Sequence, residues 1–139
     1  EVPQGQQAVF LLIDLDNFKN LNDSLGHLAG DQALVDVANV LKNSFCDDAI
    51  ISRFGGDEFV VFVKNIQDIK LFNRLISRLL QQLDLYYQSE KDQINIQASI
   101  GIALAPIDGR DMNTLYLKAD KALYQAKEGG KNRYKYYNN

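Results

Sequence analysis

The 139 residues contain one cysteine, one histidine, one methionine, two prolines and no tryptophan. A lone thiol, Cys46, rules out an internal disulfide and suits a reducing compartment. With one histidine and one cysteine, a His/Cys zinc cluster and a cysteine–histidine hydrolase pair are excluded as well. Long apolar runs are also scarce. The strongest, Ala8 to Ile13 and Phe59 to Val63, fall far short of the ~20 residues of a membrane span. No basic-then-apolar segment opens the chain as a signal peptide would. These absences imply a domain without membrane contact of its own and a cytoplasmic setting, and leave open a membrane-anchored parent protein.

What is present is the composition of a soluble domain, 46% hydrophobic and 24% charged. The length suits one domain, residues 1–139, burying roughly two-thirds of the surface of its unfolded chain. The net charge of −3 argues against a nucleic-acid binder, whose affinity comes largely from basic neutralisation of phosphates. The charge is unevenly placed. From Lys118 onward there are six basic and two acidic residues, so the rest of the chain is strongly acidic. An acidic body with a basic end suits a small polyanion held between metal-binding carboxylates and lysines.

Ala8 to Leu15 is an apolar run of strand length, interrupted by Asp14 and suited to a central strand buried on both faces. Asn17 to Asp23 suits a short helix and Ser24 to Gly30 a loop. Asp31 then stands where an N-cap belongs, before a helical stripe from Leu34 to Phe45. Ile50 to Phe54 and Phe59 to Val63 form a hairpin around Gly55-Gly56-Asp57-Glu58, with glycine where positive φ is expected. Leu71 to Leu83 repeats as a helix, and Ile94 to Leu104 alternates as a strand. Asp111 or Asn113 caps a helix running to Ala126, which Gly129 and Gly130 stop. Arg133 to Tyr137 suits a short closing strand. A hairpin inside an otherwise alternating chain argues for a mixed sheet with helices packed on it.

Asp14 and Asp16, at spacing two near the end of a strand, share one face. Such a pair suits Mg²⁺, a hard cation that takes one or two carboxylates and shares its other positions with water and phosphate. Taken alone, a strand ending in solvated acids is the commoner explanation of such a pair. The glycines of the hairpin allow close backbone approach to a ligand. Two adjacent acids between hydrophobic strands call for a compensating cation, although a polar turn also explains glycine and aspartate. Lys127-Glu128-Gly129-Gly130-Lys131 is either an ordinary helix end or a pair of cations closing on a triphosphate. It is not a P-loop, lacking the earlier glycine and the following Ser or Thr.

Arg53-Phe54-Gly55-Gly56-Asp57-Glu58-Phe59 resembles the signature of the GGDEF family, the diguanylate cyclases. Further blocks follow the family's order. Asp14 through Asp23 resembles its first metal and substrate segment, and Gly26-His27-Leu28-Ala29-Gly30-Asp31 its guanine-side loop. Ser99 to Ala103 resembles its late core strand. Ala119 to Lys127 with Gly130-Lys131-Asn132-Arg133 resembles its last helix and turn. The resemblance spans about Val9 to Tyr137.

The resemblance implies an α+β fold with a central mixed, largely antiparallel sheet of about five strands flanked by helices, as in the palm of nucleotidyl cyclases and polymerases. It implies condensation of two GTP into cyclic di-GMP and two pyrophosphates, across a homodimer in which each domain binds one GTP. Mg²⁺, or Mn²⁺ in its place, falls to Asp14, Asp57 and the Leu15 carbonyl. Asp57, the candidate base, Glu58 and Lys19 form the catalytic group. Asn22 and Asp31 fall to the guanine edge, and His27 lines the loop. Asn17, Phe18 and Lys19 fall to the β- and γ-phosphates, and Lys127 and Lys131 to the triphosphate end. Gly55 and Gly56 border the substrate. Sensory or phosphodiesterase domains are expected elsewhere in the parent chain, and a silent GTP-binding regulatory module is the alternative reading. Two departures stand out. Cys46-Asp47-Asp48-Ala49 replaces the Arg-x-x-Asp of product-inhibited members, so no such inhibitory site is expected. The family's N-terminal helix and Asp-x-Leu-Thr turn are also missing before the first strand.

Overall fold

An apolar run that does not alternate needs cover on both faces. The computed structural model, which describes residues 7–45 and 49–138, shows how that cover is obtained. β1 (Gln7–Asp16) lies at the centre of a sheet. Val9, Leu11, Ile13 and Leu15 face a large core beneath α1 (Phe18–Leu25), α2 (His27–Ser44) and α3 (Ile69–Gln82). Ala8, Phe10 and Leu12 face a smaller core beneath α4 (Met112–Glu128). None of these seven side chains is more than 3% exposed. Each of the larger ones contributes about 1.5–3 kcal/mol by leaving water.

The sheet has six strands in the order β2 (Ala49–Arg53), β3 (Glu58–Ile66), β1, β5 (Gln93–Ala105), β4 (Leu85–Gln88), with β6 (Tyr134–Tyr136) also on β5. All pairings are antiparallel except β5 with β6. The α+β class and the mixed, largely antiparallel sheet are as expected, and the strand count is one higher. The added strand is β4. It is four residues long with no fully buried side chain, too short and too weakly alternating to stand out in sequence.

Two local readings are corrected. Asp31 is not an N-cap. α2 begins at His27, so Asp31 sits inside it, exposed, and Ser24 to Gly30 is mostly helical rather than a loop. Gly30, read as part of that loop, is a packing site within the helix instead. A Cβ there would stand 1.8 Å from Asn22 Oδ1. The hairpin glycines are the second case. Positive φ occurs at Gly26 and Gly130, not at Gly55 or Gly56. The Cys46-Asp47-Asp48 part of the expected inhibitory-motif replacement lies outside the described residues.

The last helix forms as read. Asp111 caps it, accepting from the Thr114 N–H at 2.8 Å, and it ends at Glu128. α4 lies directly on β5 because Gly101 has no side chain. A Cβ there would stand 2.0 Å from the Ala119 carbonyl and 2.5 Å from the Leu123 nitrogen. This close seat carries Lys127, one turn past Leu123, to the end of β1.

Candidate functional site

Where β1 leaves the sheet, Asp14 and Asp16 follow Ala8, Phe10 and Leu12 onto the α4 side, as the period of two requires. Both are buried, at 9% and 8% exposure. Buried carboxylates need partners. Asp14 Oδ2 accepts from Lys127 Nζ of α4. Asp16 Oδ2 accepts from Ser99 Oγ at 2.8 Å and from the Asn132 N–H at 3.3 Å. Among the described residues, Oδ1 of Asp14 and Oδ1 of Asp16 are buried without a hydrogen-bond partner.

The β2–β3 turn closes against this strand end. Leu15 N–H donates to the Asp57 carbonyl at 3.0 Å, and Glu58 stands opposite Asp14 in the ladder. The turn is held from within by Arg53, whose guanidinium donates to the carbonyls of Gly55 at 3.0 Å and Gly56 at 3.2 Å. A Cβ on Gly56 would meet nothing within 4 Å. Neither backbone conformation nor internal packing therefore demands glycine there.

The electrostatics follow from the crowding. Asp57 titrates above the ordinary carboxylate value, first because it is partly buried and then because Asp14 is charged beside it; Lys127 opposes the shift. Glu58 is raised by burial and then by Asp14, Asp57 and Asp120. Burial would lower Lys127. The bond to Asp14 and the charges of Asp14, Asp16 and Asp57 outweigh it and hold the ammonium above its usual value. Tyr116, whose ring lies 5.4 Å from that of Phe54, is raised by burial and by Glu58.

A cleft of about 520 Å³ opens at this point. Eight of the expected site residues line it: Asp14, Leu15, Asn17, Phe18, Lys19, Asp57, Lys127 and Lys131. Asn17 precedes α1 in the left-handed conformation, φ 75°, and its side chain donates to the Asn95 carbonyl instead of capping the helix. No acidic residue occupies the first turn of α1. The N–H groups of Phe18 and Lys19 thus begin an uncapped helix at the cleft wall, an arrangement that favours anions. The Phe18 ring itself is in the core.

Asn22, His27 and Asp31 do not line the cleft. Asn22 is half-buried, its side chain folded over Gly30 next to Asp31, while His27 and Asp31 are exposed at the α1–α2 junction. Gly55, Gly56 and Glu58 border the turn without lining the cleft. Sequence reasoning assigned no role to Arg53, Asn20 or Asp23, yet the first shapes the turn and the other two line the cleft. The helical spacing of Lys19 and Asp23, four apart, was the available signal for the last.

Among the described residues no group of three or more His, Cys, Asp or Glu side chains is arranged to hold a metal. A cation that needs only two carboxylates fits the donors at hand. Asp14 keeps a buried oxygen without a partner and has Asp57 against it, with the main chain of Leu15 between.

Comparison with known proteins follows the same lines. The family model described as "Diguanylate cyclase, GGDEF domain" matches residues 2–133. The chain is 40% identical over 122 residues to the cyclic di-GMP phosphodiesterase PdeR of Escherichia coli, covering 88% of this chain and 18% of that protein. It is 37% identical over 136 residues to the bifunctional diguanylate cyclase/cyclic di-GMP phosphodiesterase MucR of Pseudomonas aeruginosa, covering 98% and 20%. The crystal structure of an EAL/GGDEF domain protein from M. capsulatus superposes with a TM-score of 0.87 at 37% identity, covering 100% of this chain and 90% of that one. The chain thus spans about a fifth of the length of these two curated relatives.

Proposed function

The chain belongs to the GGDEF family of diguanylate cyclase domains, and from that premise we propose that it is an active cyclase domain, condensing two GTP into cyclic di-GMP across a pair of identical domains in the cytoplasm. One observation carries the reading. The unpartnered Asp14 oxygen, the Asp57 carboxylate and the Lys127 ammonium converge at a cleft whose other wall is the uncapped start of α1.

In this reading Asp14, Asp57 and the Leu15 carbonyl hold Mg²⁺, or Mn²⁺ in its place. When bound, the ion neutralises phosphate charge and lowers the pKa of a hydroxyl beside it. The chain's own groups do the rest. The α1 N–H groups, Lys19, Lys127 and Lys131 orient the triphosphate and stabilise charge on the departing pyrophosphate. Asp57, held above the usual carboxylate value, accepts the proton of the ribose 3′-hydroxyl. The 3′ oxygen bonds to the α-phosphorus of the partner's GTP, and the α–β phosphoanhydride bond breaks. Glu58 supports the charge of this site. Gly56, with open space where its side chain would be, lets the main chain approach the substrate. Asn22 and Asp31 supply a donor and an acceptor for the guanine edge, and His27 flanks them. Because one cleft holds one GTP, the second must come on another copy.

Incubation with GTP and Mg²⁺ tests the proposal. Cyclic di-GMP should appear, and Asp57→Ala should abolish it while preserving the fold. A second reading, a silent GTP-binding regulatory module fused to sensory or phosphodiesterase domains, is favoured by the small share that the chain makes up of relatives named for phosphodiesterase activity. Tight GTP binding without turnover would select it. Among the described residues no helix is long and apolar enough to cross a membrane.

A further inference from the structure

The turn after α4 has an unusual backbone. Gly130, Lys131 and Asn132 follow one another at φ 121°, 64° and 49°. Two consecutive non-glycine residues in the left-handed region are uncommon and persist only where their surroundings impose them. The surroundings here are a clasp. Lys131 N–H donates to the Ala126 carbonyl at 3.0 Å, Arg133 Nε donates to the Lys131 carbonyl at 3.0 Å, and Ile100 N–H takes the Arg133 carbonyl into the sheet at 2.9 Å. The Asn132 N–H donates to Asp16 Oδ2 at 3.3 Å. Asp16 is 8% exposed and is anchored on its other side by Ser99 Oγ at 2.8 Å. A buried carboxylate at the end of β1 thus joins β5 to the turn that presents Lys131 to the cleft.

We propose that Asp16 is a positioning residue for the phosphate end of the site: with Ser99 it holds the Lys131–Asn132 turn left-handed, so that the Lys131 ammonium faces the triphosphate. The inference rests on the nucleotide reading above and deepens it. Asp16 acts through hydrogen-bond acceptance, so its shape matters more than its charge. An asparagine whose carbonyl oxygen takes the place of Oδ2 can accept from both the Asn132 N–H and Ser99 Oγ, keeping the clasp.

The test compares binding of α,β-methylene-GTP, which cannot release pyrophosphate, with binding of GMP, which lacks the two phosphates that Lys131 is placed to meet. Asp16→Ala should weaken the triphosphate analogue about tenfold and GMP less than about twofold. Asp16→Asn should restore the analogue to near wild type. Asp16→Ala combined with Lys131→Ala should be no worse than Lys131→Ala alone, because both remove one interaction. Equal losses in Asp16→Ala and Asp16→Asn, or losses that add to that of Lys131→Ala, overturn the proposal and assign Asp16 a role through its charge. Equal wild-type affinity for the two nucleotides overturns the nucleotide reading and the phosphate role with it. Amide exchange at Asn132 in the ligand-free protein tests the clasp independently. Exchange should quicken in Asp16→Ala and in Ser99→Ala, the second variant serving if the first does not fold. Unchanged exchange in a folded variant overturns the clasp.

Discussion

Replacing Asp57 by asparagine should make the metal-free protein more stable and should remove its response to divalent cations. The side chain is partly buried against Asp14, with Glu58 nearby and Lys127 as the counter-charge on Asp14. Burial and the Asp14 charge raise its pKa above the unfolded value of 3.8. The native state therefore holds the Asp57 proton more tightly than the unfolded state. The contribution of this group to stability is greatest below pH 3.8, falls as pH rises through the native pKa, and its loss persists in full at neutral pH. Asp57 is still reached by solvent, so the cost is that of a screened, partly exposed charge contact, under about 1 kcal/mol. In a domain of this size that is a rise of up to about 4 °C in Tm. Asparagine keeps the shape and removes the charge, so Asp57→Asn in EDTA at pH 7.5 should melt that much higher than wild type. A cation that binds the native carboxylates at ten times its Kd adds about 1.4 kcal/mol. Mg²⁺ should therefore raise the wild-type Tm at pH 7.5, raise it less at pH 5, and leave Asp57→Asn unchanged. Thermal melts with and without Mg²⁺ at the two pH values decide the matter. A variant that melts below wild type in EDTA, or one that gains as much from Mg²⁺, refutes the electrostatic account.

Gly30→Ala should gain up to about 1 kcal/mol of helix stability while its Cβ, 1.8 Å from Asn22 Oδ1, turns that side chain away; discrimination of GTP from ATP should then fall at an unchanged or higher Tm, and retained discrimination counts against Asn22 as a guanine reader. Gly101→Ala forces α4 off the sheet, since its Cβ would stand 2.0 Å from the Ala119 carbonyl. We expect about 3 kcal/mol or more of destabilisation in denaturant titration, and a loss under 1 kcal/mol would show that the helix seat is compliant. Arg53→Ala removes two bonds to the glycine carbonyls at an exposed turn. Stability should change by under about 1 kcal/mol while kcat falls, and an unaltered kcat would free the turn from any need for this brace.

Much of the fold was legible because its signals are local. The two-faced burial of β1, the Asp111 cap and the acids of the hairpin can all be read within a few residues, where period, cap chemistry and turn composition act. The misreadings share one cause, a local signal overridden from a distance. Gly30 looks like a loop glycine and is helical because Asn22 fills the space of its missing side chain. Gly55 and Gly56 suggest positive φ and lack it, since the Arg53 brace and the tie from Leu15 to Asp57 shape the turn instead. β4 has little signal of its own and forms by pairing with β5.

The sequence alone determined which groups are available: carboxylates at the end of a buried strand, acids after a glycine pair, and lysines about a helix end. Tertiary structure alone decided which of them meet. Asp14 and Lys127 are 113 residues apart in sequence, Asp16 and Asn132 are 116 apart, and no local rule pairs either. They meet because α4 can seat on the bare backbone of Gly101 and β6 can pair parallel to β5. Both contacts are set by the packing of the whole sheet, which no short stretch of chain encodes.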